Sequence, residues 1–99
     1  MTVAEKIRRQ FIWAVLSSSS EPRSELEKVE ALVEFLKREA IAPFKKEDEV
    51  RAKHYIEILI ERAKNHAITA LAAEELLCEL VSAAAGSRAQ FLVMLDVAE

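Results

Sequence analysis

The stretch Leu26-Glu27-Lys28-Val29-Glu30-Ala31-Leu32-Val33-Glu34-Phe35-Leu36-Lys37-Arg38-Glu39-Ala40 decides the fold class. Leu26, Val29, Leu32, Val33, Leu36 and Ala40 recur at helical intervals, so at about 100° per residue they fall on one stripe. Glu25, Glu30, Glu34, Lys37 and Arg38 take the solvent side, the pattern of an amphipathic helix packed on a core. The helix is expected to begin between Ser20 and Ser24, where Ser24 and Glu27 have capping-box spacing, and to run to about Ala40. Nothing in the rest of the chain offers a strand alternative. One Gly and two Pro in 99 residues, against 52% hydrophobic content, leave too few turn residues for hairpins. The reading is an all-α fold, a compact bundle of four to five helices in a single domain spanning 1–99, completed by dimerisation.

Working outward from that helix, Thr2 and Glu5 open an N-terminal helix that reaches about Leu16. Val3, Ala4, Ile7, Phe11, Ala14 and Val15 share one stripe, whereas Ile12, Trp13 and Leu16 point away from it. Its second half is therefore apolar nearly all round, which a small bundle has difficulty hiding. Ser17 to Ser20 with Glu21-Pro22-Arg23 reads as a loop.

Downstream, Pro43 restricts Ala42 and forces a turn. A third helix covers roughly Glu47 to Lys64, with Ala52, Tyr55, Ile56, Leu59, Ile60, Ala63 and Ala67 inward and Val50 and Ile58 off the stripe. A break is expected at Asn65 to Thr69, because one helix reaching Ala85 would run on the order of 55 Å. The fourth helix, from about Thr69 to Ala85, buries Ala73, Leu76, Leu77, Leu80, Val81 and Ala84 and stops at Gly86 as a left-handed terminator. Ser87 then caps a fifth helix, Phe91-Leu92-Val93-Met94-Leu95-Asp96-Val97, in which only Asp96 is charged. So apolar an element is either a central pillar or half of a dimer seam.

Composition narrows the function. The 17 acidic and 14 basic residues, net −3, are interspersed, unlike the basic footprint of a nucleic-acid binder. A single cysteine, Cys78, allows no internal disulfide and fits a reducing compartment, though it leaves open a bridge between two chains. Neither a signal sequence nor an apolar run of about 18 residues is present, so the expected location is cytoplasmic, with no membrane contact.

Residues capable of chemistry do not converge. His54 and His66 are twelve residues apart, outside the spacing that places two metal ligands on one helical face, and His54-x-x-Glu57 has no second pair to complete a di-metal bundle. Neither a metal nor another cofactor is expected. In size and helicity the chain resembles histidine phosphotransfer domains, whose pattern places Lys and Gly at the third and fourth positions after the histidine. His66 is followed there by Thr69 and Ala70. Small helical chorismate mutases are dimers of this size that need buried Arg and Lys converging on a dianion, whereas Arg8-Arg9, Arg51, Arg62 and Arg88 lie in polar-face patterns beside Glu. Cys78 has no histidine at local spacing to activate it. A helix-turn-helix with its turn at Asn65 to Thr69 would present Glu74, Glu75 and Glu79 to phosphates.

The remaining signal is apolar excess. Ile12, Trp13, Leu16, Phe35, Ile58, Leu92, Val93 and Val97 are the candidate dimer- or partner-binding residues, Trp13 and Phe35 being the aromatic anchors. The expected function is a non-enzymatic regulatory protein that binds another protein, as an inhibitor, anti-activator or adaptor of a transcription regulator, and forms a homodimer. A helical DNA-binding regulator is the alternative, and a phosphotransfer or small-molecule enzyme comes after it. A monomeric five-helix bundle that hides all these residues is the competing structural reading.

Overall fold

The computed structural model describes residues 22–97, with side chains from Leu26 to Asp96. Four helices occupy this span: α1 (Pro22–Glu39), α2 (Lys46–Lys64), α3 (Ala70–Gly86) and α4 (Arg88–Val97). They are the second to fifth helices predicted above, and no strand occurs among the described residues. The first predicted helix, with Ile12, Trp13 and Leu16, lies outside them, as does the side chain of Val97.

Local signals set the ends, with two corrections. Pro22 is the first residue of α1 and not part of the preceding loop. A helix's first turn has no use for the missing N–H, and the ring fixes a helical φ. Gly86 lies within α3 and has no positive φ, so it is not the left-handed terminator expected of it. The chain turns one residue later, at Ser87, whose φ of −151° and ψ of 109° are extended. Ser87 ends one helix and begins the next. Its N–H donates to the Ala83 carbonyl at 2.8 Å, and its Oγ accepts from the Gln90 N–H at 3.3 Å.

The left-handed residue is His66, φ 58°, just past the end of α2. The Ala67 N–H donates to the Arg62 carbonyl at 2.9 Å and the His66 N–H to the Ala63 carbonyl at 3.3 Å. Those two bonds make a Schellman motif, with histidine in the position that glycine usually fills. Thr69 then caps α3, its Oγ1 accepting from the Ala72 N–H at 3.0 Å. The expected break between residues 65 and 69 is present.

The core is one cluster. α1 contributes Val29, Leu32, Val33 and Leu36; α2 contributes Ala52, Tyr55, Ile56, Leu59 and Ile60. α3 adds Leu77, Leu80, Val81, Ala83 and Ala84, and α4 adds Phe91 and Leu95. α3 packs against each of the other three helices. The short connection before α2 is anchored at two points: the Ile41 N–H donates to the Ala84 carbonyl at 2.9 Å, and Phe44 stacks on Phe91 at 5.1 Å. The first bond satisfies a carbonyl in the last turn of α3 that has no partner within its helix.

The predicted stripes fit except at their margins. Leu26 is 45% exposed and Ala67 is exposed in the turn, while Ala40, Ala63 and Leu76 are half-buried. Ala67 lies past the end of its own helix, in the turn to α3. Ala83 and Glu74 are buried although the pattern did not place them inside.

Candidate interaction groove

Asp48 is the buried carboxylate that ties the bundle's helix starts together. It sits in the first turn of α2, 4% exposed, and its Oδ2 accepts from the Lys45 N–H at 2.9 Å and from Arg88 Nη2 at 2.8 Å. The first contact supplies half of a capping box; lysine has no acceptor with which to return it. Burial pushes the carboxyl upward, but the Lys45 N–H and the Arg88 guanidinium outweigh burial and hold it below the usual carboxylate value. Arg88 opens α4, so one carboxylate joins the starts of α2 and α4. At the far end of α4, Arg51 pairs with Asp96. These contacts orient α2 and α4 relative to one another.

Tyr55 is buried, and burial followed by the charge of Glu79 raises its phenol above the ordinary value, with Arg62 opposing. His54 and His66 are both exposed, Cys78 is half-buried, and no group of three metal-ligating side chains occurs among the described residues.

Among the described residues, an open groove of about 510 Å³ lies between α1 and α2, lined by Glu27, Glu30, Ala31, Val33, Glu34, Glu49, Val50 and Lys53. Glu27, Glu30, Ala31 and Glu34 follow i, i+3, i+4, i+7 spacing and form one face of α1. Val33 and Val50 provide apolar floor, Val50 being 62% exposed. Lys37 spans the two helices at one end, pairing with Glu49 of α2 and with Glu34 of its own helix at 3.4 Å. Its hydrogen bond to Glu49, countered by desolvation and helped by Glu34, raises the ammonium above its ordinary value. The groove therefore combines an apolar floor with a predominantly acidic rim.

The predicted contact residues distribute unevenly. Phe35 and Leu92 are half-buried against the core, and the Arg38 guanidinium lies 6.0 Å from the Phe35 ring centre. Ile58 is half-buried on α2, and Val93 is 60% exposed on α4. Ile12, Trp13, Leu16 and the Val97 side chain lie outside the described residues. Sequence reasoning placed Val50 off the buried stripe of its helix but did not connect it with Ala31 and Glu30, because only the packing of α1 on α2 brings them together.

What fold and groove define is an all-α bundle with an acid-rimmed apolar cleft. Neither a protein-family model, nor a curated protein, nor a solved structure matches the chain. None of the described helices is long and apolar enough to cross a membrane.

Proposed function

We propose that this chain is a non-enzymatic helical regulator that works by binding another protein, as an inhibitor, anti-activator or adaptor of a factor such as a transcription regulator, in the cytoplasm and as a homodimer. The observation that supports it is apolar surface left open on a bundle whose core is already filled. Val93, 60% exposed, stands between half-buried Leu92 and Met94 on α4, while Phe91 and Leu95 of the same helix are buried. A helix that commits one side to the core and presents valine on the other is suited to an apolar partner surface.

The test is affinity capture of the tagged protein from its native cells after nuclease treatment, alongside a Val93→Asp variant. Light scattering of the purified chain reads its oligomeric state. A stoichiometric protein that the variant loses supports the reading. Binding of the purified chain to added duplex DNA with steep salt dependence, or capture of nothing that Val93→Asp changes, would overturn it.

A further inference from the structure

We infer that this chain dimerises by exchanging α4: the helix of each copy leaves its own bundle and fills the same place in a second copy. An exchanged dimer is one form of the homodimer proposed above and rests on that part of the reading. Three observations support it. First, the hinge is a single residue. Residues 40–45 separate α1 from α2 and residues 65–69 separate α2 from α3, but only Ser87 stands between Gly86 and Arg88. Helical hydrogen bonds already cross it, the Ser87 N–H donating to the Ala83 carbonyl at 2.8 Å and the Phe91 N–H to the Ser87 carbonyl at 3.0 Å. Turning Ser87 from its extended φ of −151° and ψ of 109° to helical values brings the N–H groups of Arg88, Ala89 and Gln90 onto the carbonyls of Ala84, Ala85 and Gly86.

Second, the local sequence tolerates that change. Ala83-Ala84-Ala85-Gly86-Ser87-Arg88-Ala89-Gln90 contains neither proline nor a β-branched residue, and Gly86 is already helical. α3 and α4 then form one rod from Ala70 to Val97, and a straight rod cannot return α4 to its own core.

Third, the contacts that seat α4 on α2 lie beyond the hinge and can be supplied by a second copy. Phe44 stacks on Phe91, Asp48 accepts from Arg88, and Arg51 pairs with Asp96. Phe91 and Leu95 are the buried residues of α4. All of these contacts re-form between copies, so the two forms differ chiefly at the hinge and in the cost of association. Each core in the exchanged dimer is complete only with the other copy's Phe91 and Leu95.

The test uses the full chain carrying Cys78→Ala, Arg51→Cys and Asp96→Cys, treated with a short bis-maleimide and run on a denaturing gel. Positions 51 and 96 adjoin whether α4 is the chain's own or the other copy's, so linkage occurs in both forms and only its destination differs. Covalent dimers that Arg51→Cys alone does not form are expected. Light scattering of the unlinked chain reads the dimerisation constant. Ser87→Ala, which has no cap to forfeit on becoming helical, should raise it by about fivefold per hinge, and Ser87→Gly, which resists the helix, should lower it by about the same factor. Links confined within single chains, or dimers that Arg51→Cys forms equally well alone, would overturn the exchange and leave the homodimer standing. A dimerisation constant that neither Ser87 variant moves would likewise overturn the exchange, and a chain that is monomeric at every concentration would overturn both.

Discussion

Replacing Asp48 by alanine removes a carboxylate that is 4% exposed and holds the starts of two helices. Two bonds are lost, one from the Lys45 N–H at 2.9 Å and one from Arg88 Nη2 at 2.8 Å. The backbone bond acts as a helix cap, which contributes about 1 kcal/mol. A hydrogen bond between charged groups contributes about 1.5–3 kcal/mol, and the Arg88 side chain is 31% exposed, so solvent screening reduces its share to about 1–2 kcal/mol. The expected loss is therefore about 2–3 kcal/mol at neutral pH. In a chain of this size each kcal/mol lowers Tm by roughly 4–8 °C.

Asp48→Asn retains a carbonyl acceptor but loses the charge, and should cost about half as much. The assay is urea unfolding followed by circular dichroism at pH 7 and again in acid. Because the folded carboxyl titrates below its ordinary value, its stabilising contribution is present above that value and is lost as pH falls through the folded one. The gap between parent and Asp48→Asn should accordingly shrink in acid. A double-mutant cycle with Arg88→Met measures the coupling directly. A loss below about 0.5 kcal/mol for Asp48→Ala, or a gap that is the same at both pH values, would refute the reasoning.

Three further outcomes are expected. Leu36→Ala, at a side chain with 0% exposure, should lower the unfolding free energy by about 2–5 kcal/mol in the same urea assay. Gly86→Ala should raise stability by about 0.5 kcal/mol, since Gly86 is helical without positive φ and an added Cβ meets nothing within 4 Å. His66→Gly should stabilise by about 1 kcal/mol by relieving a side chain held at φ 58°, whereas His66→Val should destabilise, both read as shifts in Tm.

Some of these positions were legible in the sequence and some were not, and the dividing line is distance along the chain. The Thr69 and Ser87 caps are contacts to residues three positions away, so the local pattern contains both partners. The Asp48–Arg88 pair joins residues 40 positions apart, and the spacing of charges along either helix gives no sign of it. Arg88 read as solvated surface for that reason. The choice of left-handed terminator shows the same limit in reverse. Glycine is the residue that adopts positive φ most readily, yet Gly86 remains helical while His66 adopts it. Propensity sets what each residue tolerates, and the packing of α2 and α3 against one another sets where the chain has to turn.

What the sequence by itself determined is the helical class, the placement of four helices and most of their inward faces. These follow from side-chain periodicity and capping, which act within about one turn. What only the tertiary structure decided is which ends of those stripes find a partner, how Asp48 joins α2 to α4, and that α1 and α2 part to leave an acid-rimmed groove over Val33 and Val50. The physical reason is that burial and charge pairing depend on atoms brought together from distant parts of the chain, and a local pattern records only one side of each such contact.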